Sequence, residues 1–194
     1  MSDNLAHVYL EETWEELIDG KVVAMSPRPR ANHNIVSDNI YSIFSHYLWR
    51  KKCRPFSDGM EVFLTEKDHF VPDFMVVCDR DKIQGNGIYG APDLVAEVLS
   101  PRTETYDRKH KKAVYEKCGV KEYWLVSPEA RSVEQHLLED GRLTLNEVYA
   151  MEPDYMLAKM TEEERSALVT HFKCTLFDDL DIQLEDIFYG MLPE

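Results

Sequence analysis

Two acidic residues beside or inside apolar stretches are the first candidates for chemistry in this sequence. Asp73 directly precedes FMVV, and Glu97 lies within LVAEVLS. A lone carboxylate is costly to bury, so an acid in such a stretch normally has a partner. If the two stretches are neighbouring strands, both side chains converge at one end of a sheet. Paired carboxylates there predict a site for Mg²⁺ or Mn²⁺, hard cations that prefer oxygen ligands.

The spacing of the two acids leaves a second interpretation open. A divalent cation would neutralise two like charges that otherwise raise the pKa of one of them. Alternatively, each acid pairs with a lysine or caps a turn, which requires no metal. Spacing alone does not decide between a metal site and two ordinary polar contacts.

A predicted helix over residues 104–118 adds a positive charge to this region. Asp107, Lys111 and Tyr115 recur at intervals of four, which puts them on one helix face. Because the helix follows directly after the strand that carries Glu97, its first two turns pass near that acid. A lysine there could orient a water or stabilise charge on a phosphate. An Asp–Lys pair at this spacing is also typical of an ordinary helix surface.

His33 is an auxiliary candidate, near the start of a long amphipathic helix predicted from Asn32 to about Lys51. Histidine is the side chain whose protonation changes near neutral pH, so it could carry a proton for the site. A lone histidine in this position is also typical of a helix cap or a surface residue.

The elements that must position these residues alternate between strands and helices. Interleaved helices, strands and hairpins indicate an α/β fold, with one mixed β-sheet flanked by helices in a single domain over residues 1–194. The unbroken apolar character of DLVAEVL favours a central strand. The other predicted elements are a helix over residues 12–18, the strand KVVAMS broken by Pro27 and Pro29, adjacent strands in MEVFLT and FVPDFMVV, the strands EYWLVS and VEQHLLE, a tight turn at Asp140-Gly141, and short helices in TEEERSALV and LEDIF.

Composition limits the classes of function. The net charge of −14 argues against a general electrostatic grip on nucleic acid. Residues 102–121 are locally rich in lysine and arginine, which allows either a basic patch or a solvated helix face. No apolar run approaches the roughly 20 residues of a membrane span, and the acidic first residues do not resemble a signal peptide. The four widely spaced cysteines predict reduced thiols in a cytoplasmic protein.

Taken together, the motifs resemble the Uma-two family of restriction endonuclease-like proteins, within the PD-(D/E)xK nuclease superfamily. The resemblance extends from about residue 12 to residue 190 and depends on the order in which the motifs occur. Those motifs are EELIDGKVVAMSP, Pro72-Asp73, APDLVAEVLSPRT, D-x-x-x-K-x-x-x-Y, GVKEYWLV and FDDLDIQLEDIF.

The resemblance implies a restriction endonuclease-like fold with a Mg²⁺-dependent phosphodiesterase site. Asp73 and Glu97 correspond to the two metal-binding acids, and the main-chain carbonyl of Val98 corresponds to a further ligand. Two residues after Glu97, where the superfamily has a lysine, this chain has Leu99. Lys111 on the following helix matches the place to which the lysine has moved in the family, and its long stem can reach the same point.

The leading hypothesis is therefore an endonuclease that uses Mg²⁺ or Mn²⁺ to hydrolyse phosphodiester bonds in DNA. The alternative is a catalytically weak or inactive module of the same fold that binds nucleic acid or protein. A hydrolase for another phosphodiester, such as RNA or a nucleotide, is a third hypothesis, which an acidic surface tolerates more easily. By analogy with the superfamily, a homodimer is also an expectation.

Overall fold

The strands of the described chain form two six-stranded sheets and one small hairpin. The structure is a computed structural model that describes residues 14–25, 30–57 and 59–193. The strands are β1 (Trp14–Ile18), β2 (Lys21–Met25), β3 (Arg54–Ser57), β4 (Val62–Phe63), β5 (His69–Phe70), β6 (Phe74–Val77), β7 (Ile83–Gln84), β8 (Gly87–Tyr89), β9 (Leu94–Val98), β10 (Glu122–Ser127), β11 (Ser132–Glu139), β12 (Arg142–Ala150), β13 (His171–Lys173) and β14 (Asp181–Gln183). The helices are α1 (Ala31–Tyr47), α2 (Glu104–Tyr106), α3 (Lys112–Cys118), α4 (Asp154–Leu157), α5 (Glu162–Ser166) and α6 (Leu184–Ile187).

The central sheet has the strand order β12-β11-β10-β9-β6-β3. β9 lies between β10, to which it is parallel, and β6, to which it is antiparallel. All five residues of β9 are buried because the sheet is covered on both faces. The central strand and the α/β class are as predicted, but the strands divide between two sheets where the sequence indicated one.

Alternate side chains of the central strands enter two different apolar layers. Phe74 and Val76 pack with the buried face of α1 and with the C-terminal hairpin β13-β14. Met75 and Val77 point the other way, toward α3 and the second sheet, whose order is β2-β1-β5-β4-β8-β7. Side chains at the end of the central sheet that point the same way as Met75 and Val77 therefore lie between β1, β5 and the helix after β9.

The first described element is a strand, so the prediction of a helix over residues 12–18 is wrong for residues 14–18. β1 pairs with β2 along five residues, and its side chains alternate, with Glu15 exposed and Glu16 buried. The Asp19-Gly20 turn joins the two strands with positive φ angles of 49° and 73°. A two-residue turn of this kind favours a hairpin over a helix. Residues 12 and 13, and also Pro27 and Pro29, lie outside the described residues.

Both long helices occur where the sequence predicted them. α1 presents Val36, Ile40 and Phe44 to the core. The predicted helix 104–118 consists of α2, a π-helical turn over Asp107–Lys111, and α3, which run on without a break. Gly119 ends it with a φ of 88°, a conformation that favours glycine. The part of the chain that the structure describes contains no helix long and apolar enough to cross a bilayer.

Two of the four cysteines form a disulfide, so the expectation of reduced thiols is wrong for Cys53 and Cys78. These cysteines flank the last pair of the antiparallel β3-β6 ladder, Arg54 with Val77, which brings them opposite each other. Cys118 and Cys174 are free. The pairing depends on strand register, which widely spaced cysteines do not reveal in the sequence.

Glu122 ties the C-terminal hairpin to the central sheet. Its buried carboxylate accepts hydrogen bonds from Trp124 Nε1 at 2.7 Å and Gln135 Nε2 at 2.6 Å. Beyond the sheet, its other oxygen accepts from the Thr175 amide at 2.9 Å and the Thr175 hydroxyl at 2.5 Å. A buried carboxylate that accepts several hydrogen bonds offsets its own desolvation, and removing it leaves the donors unsatisfied.

We expect Glu122→Ala to lower the free energy of unfolding by about 3 kcal/mol or more, since it leaves several buried donors without an acceptor. Urea unfolding followed by circular dichroism measures the change. The matched control is Glu139→Ala. Glu139 is an exposed residue of the neighbouring strand β11, so its replacement should change the free energy of unfolding by less than about 0.5 kcal/mol. Equal unfolding midpoints for the two variants would contradict this account of Glu122.

Candidate active site

Asp73 and Glu97 lie opposite each other at one end of the central sheet. The β6-β9 register pairs Phe74 with Ala96, so the next position along places Asp73 across from Glu97. The Val98 amide donates to Asp73 Oδ2 at 2.7 Å, which fixes the carboxylate beside β9. Both acids therefore face the layer that contains β1 and the helix after β9, as their parity with Met75 and Val95 requires.

Lys111 places its ammonium group within a cluster of carboxylates. Its Nζ lies 3.0 Å from Glu16 Oε1, 3.2 Å from Glu97 Oε1 and 3.7 Å from Asp107 Oδ1. The side chain of Lys111 is 5% exposed, and none of these three acids is more exposed. The Tyr115 hydroxyl donates to Glu97 Oε1 at 2.8 Å. The face that carries Asp107, Lys111 and Tyr115 is thus turned inward, and the surface-pair interpretation does not apply.

The π-helical turn over Asp107–Lys111 is held from the central sheet. The Asp107 carbonyl accepts a hydrogen bond from the Lys112 amide inside the helix and from the Tyr123 hydroxyl of β10 at 3.1 Å. Such turns are rare and occur frequently at functional sites. The turn carries both Asp107 and Lys111, so it directly determines where the ammonium lies.

Glu16 also belongs to the cluster, although the sequence did not identify it as a candidate site residue. It comes from β1, is 4% exposed, and also accepts a hydrogen bond from the Val71 amide at 3.0 Å. The same signal that identified Glu97, an acid between apolar positions, exists in β1, because Glu16 and Ile18 share one side of the strand. Treating this segment as a helix concealed that alternation.

His33 reaches the outer edge of the same cluster. Its Nε2 lies 3.3 Å from Asp73 Oδ2, and the two side chains are 15% and 14% exposed. One turn further along α1, the Ser37 hydroxyl donates to the Asp73 carbonyl at 2.9 Å. The first turns of α1 are therefore anchored at Asp73, and His33 lies on the more exposed side of this acid.

Leu99 stands at the position where the sequence resemblance leads one to expect a lysine. Leu99 is partly buried and packs in the apolar layer on the second face of the sheet. Lys111 arrives from the following helix instead, and its ammonium contacts Glu97 directly. The structure thus brings together Asp73, Glu97 and Lys111, although the lysine and Glu97 are on different elements, and the Val98 amide is bonded to Asp73.

Burial and mutual interaction shift the protonation of these groups. Burial raises the pKa of Glu97 well above its usual value, although the Lys111 charge counters this. Burial alone would lower the pKa of Lys111, yet the carboxylates, Glu97 foremost, raise it well above its usual value. Burial raises the pKa of Asp107 to about 6, and it raises that of the Tyr115 hydroxyl. Lys111 therefore stays cationic, while Glu97 and Asp107 hold their protons more tightly than usual.

The carboxylate oxygens of the cluster are the kind of ligand that a hard divalent cation prefers. The carboxylates of Glu16, Glu97 and Asp107 share a single ammonium, and the fourth carboxylate, that of Asp73, contacts His33. Asp107 Oδ1 and the Tyr106 hydroxyl are buried and have no hydrogen-bond partner in the described chain, and such atoms normally have one. Among the described residues, however, no three acidic, histidine or cysteine side chains are already grouped as a coordination sphere. Excess negative charge and unsatisfied oxygens are the features that a cation would complement.

Comparison with known proteins places the chain in a family. Residues 9–169 match the model of the Uma2 family, which is described as "Putative restriction endonuclease". The chain belongs to this family. The resemblance found in the sequence motifs is thereby confirmed.

Two curated relatives come from Synechocystis sp. (strain ATCC 27184 / PCC 6803 / Kazusa). The uncharacterized protein slr1290 is 30% identical over 129 residues, which cover 65% of this chain and 67% of that protein. The uncharacterized protein sll1609 is 26% identical over 125 residues, which cover 62% and 70%. A solved structure, described as that of a "putative nuclease belonging to DUF820" from Anabaena variabilis, has a TM-score of 0.67 and 23% identity, and the match covers 91% of this chain and 90% of that one. This likeness shows the shared fold, and it confirms the predicted fold class.

The raised pKa of Asp107 in this Uma2 chain predicts that stability falls as pH rises. Asp107 binds its proton more tightly when folded, with a pKa of about 6 against the usual 3.8. Its contribution to stability is therefore fully present below about pH 4 and is lost as the pH rises through about 6. Asp107→Asn stays neutral, so we expect it to be more stable than wild type by about 1–3 kcal/mol at about pH 7, and nearly equal at about pH 4.

Urea unfolding of both proteins at the two pH values measures this difference. Asp140→Asn, in the exposed turn between β11 and β12, is the matched control and should show no comparable dependence on pH. A variant at Asp107 that is less stable than wild type at neutral pH would show that the Asp107–Lys111 attraction outweighs the cost of burying the charge.

Proposed function

We propose that this protein is an endonuclease that uses Mg²⁺ or Mn²⁺ to hydrolyse phosphodiester bonds in DNA. The observation that carries the proposal is the meeting of Asp73, Glu97 and Lys111 at one end of the central sheet. The family description and the shared fold support nuclease activity in general. The choice of DNA and the use of a metal are inferences from the site and from the superfamily.

Asp73, Glu97 and the main-chain carbonyl of Val98 would hold the metal. Val98 is adjacent to Glu97 in the chain, and its amide already binds Asp73. When bound there, a divalent cation supplies Lewis-acid stabilisation of the phosphate and a more acidic water. The raised pKa of Glu97 reflects its burial, and a nearby cation favours the ionised carboxylate that a metal ligand must be.

Lys111 would act as a fixed positive charge. Because its pKa is raised well above the usual value, the ammonium does not release its proton near neutral pH and cannot serve as a general base. It can instead orient a water or stabilise negative charge that develops on the phosphate. Tyr115 and Glu16 hold Glu97 and Lys111 in position from two different elements.

His33 would carry the proton at the exposed edge of the site. It is at hydrogen-bonding range from Asp73, and its partly exposed ring can exchange protons with solvent. The location in the cytoplasm, the assembly as a homodimer and the single-domain organisation over residues 1–194 stay predictions from the sequence.

We expect Asp73→Asn and Glu97→Gln each to lower cleavage by at least about 100-fold, because each replaces a proposed anionic ligand with a neutral one. Both variants keep an oxygen that can accept the hydrogen bonds made by Val98 and Tyr115, so the fold should persist. Cleavage of labelled duplex, single-stranded and branched DNA and of RNA is measured with Mg²⁺, with Mn²⁺ and with a chelator. Asp140→Asn and Glu139→Gln are the matched controls on exposed sites.

Cleavage that both variants retain at the wild-type rate would remove Asp73 and Glu97 from the mechanism. Cleavage that a chelator does not affect would remove the metal. Activity restricted to RNA or to short nucleotides would replace DNA as the substrate and leave the site assignment intact.

A second candidate function is a catalytically inactive module of the same fold that binds nucleic acid or protein. The observation that favours it is that the Lys111 ammonium already contacts three of the four carboxylates, while no ready-made coordination sphere exists among the described residues. Binding of nucleic acid without cleavage of any substrate in the panel, with either metal, would select this alternative.

A further inference from the structure

A second surface, at the far end of α1 from His33, combines an exposed aromatic ring with unpaired cations. We call it the Trp49 surface, and it comprises Trp49, Arg50 and Lys52 with the neighbouring outer face of α1. Trp49 is 71% exposed, which is unusual for so large an apolar side chain. At 1.5 Å of rise per residue, Trp49 lies about 24 Å from His33 along the helix direction.

The outer face of α1 forms a shallow depression beside this ring. The depression has a volume of about 360 Å³ and is lined by Tyr41, Ser42, Ser45, His46 and Trp49. This volume is at the small end of the range of about 300–1,000 Å³ that small ligands occupy. The lining offers aromatic faces together with hydroxyl and imidazole groups and contains no acidic residue, so it suits a flat ring with polar edges.

The loop that follows α1 is held firmly on its inner side. The Arg80 guanidinium donates to the carbonyls of Lys52 at 3.0 Å and Lys51 at 3.3 Å. The Lys51 ammonium lies 3.3 Å from the centre of the Tyr47 ring, and the Cys53–Cys78 disulfide closes the loop. A loop tied from within presents its outward side chains in a fixed arrangement, which lowers the entropy cost of binding.

The cations on the outer side of this loop are available to a ligand. Arg50 and Lys52 are exposed, and no ion pair in the described chain involves either of them. Arg50 has a φ of 63°, a conformation that a side chain rarely adopts and that is often found at functional sites. In a chain with a net charge of −14, a group of unpaired cations beside an exposed tryptophan is a local exception.

We propose that the Trp49 surface binds a single-stranded segment of nucleic acid, with one base stacked on the Trp49 ring and phosphates held by Arg50 and Lys52. Base stacking on an aromatic ring combined with flanking cations is the general mode of single-strand binding. A lipid surface fits less well, because a membrane-binding face needs several exposed apolar side chains and this one has only Trp49 beside polar groups.

This inference deepens the proposed function, since it gives the same polymer a second point of contact remote from Asp73 and Glu97. A strand held at the Trp49 surface would increase the effective concentration of nucleic acid at the site. The contact is independent of metal and of cleavage, so it can be measured when the carboxylate cluster is inactive.

The test is the binding of a labelled oligothymidine of about twelve nucleotides, within the usual span of single-strand sites, measured by fluorescence anisotropy with a chelator present. We expect Trp49→Ala to weaken binding by about tenfold and Trp49→Phe to restore most of it, because phenylalanine still stacks. Tyr155→Ala is the matched control, since Tyr155 is 66% exposed and has Lys159 near its ring. It should bind as wild type does.

Charge is tested separately from stacking. Arg50→Gln combined with Lys52→Gln should lower the slope of log affinity against log salt by about 1.4, the value for two phosphate contacts on a single strand. Both substitutions alter exposed side chains, so thermal unfolding should match that of wild type and exclude misfolding as a cause.

Three outcomes would overturn the inference: no binding of the oligonucleotide by wild type, wild-type affinity in Trp49→Ala, or Trp49-dependent binding to phosphatidylserine vesicles in place of the oligonucleotide. Its failure is distinguishable from failure of the proposed function. Trp49-dependent binding by a protein that cleaves nothing supports this inference alone, whereas cleavage by a protein whose binding ignores Trp49 supports only the nuclease proposal.

Discussion

The buried Lys111 ammonium is the interaction on which the rest of the site depends. It lies within 3.7 Å of oxygens from Glu16, Glu97 and Asp107, which come from β1, β9 and the π-helical turn. Removing the Lys111 ammonium would leave these buried carboxylates uncompensated, at a cost of about 3–5 kcal/mol. These elements must therefore assemble together, and the layer between the two sheets is specified by charge as well as by apolar packing.

The same arrangement explains why the site carries raised pKa values and favours an additional positive charge. Burial raises the pKa of Glu97 and Asp107, the Lys111 charge opposes this rise, and the excess negative charge of the neighbouring carboxylates adds to it. A polyvalent cation, a proton or a further basic group can each reduce that excess. Asp73 is the member best placed to receive an external ligand, since it is more exposed than the rest and lies beside His33.

Much of the site could be predicted because it follows from local periodicity. Strand parity and helix spacing were sufficient to suggest that Asp73, Glu97 and Lys111 meet. Glu16 could not be placed, because a short amphipathic segment rich in glutamate is compatible with either a helix or a strand. The π-helical turn has no signature in DRKHK, and it depends on the Tyr123 hydroxyl from a distant strand. The second sheet includes strands of two residues, which are too short for periodicity to reveal. The Cys53–Cys78 pairing depends on the register of β3 with β6 in the central sheet.

Under the proposed function, the carboxylate cluster holds a divalent cation at Asp73 and Glu97. Isothermal titration calorimetry of Mn²⁺ with wild type and with Asp73→Asn tests it most directly, because it requires neither substrate nor catalysis. We expect saturable binding to wild type that is lost in Asp73→Asn and retained in Asp140→Asn. No heat of binding to wild type, or equal affinity in Asp73→Asn, would contradict such a site.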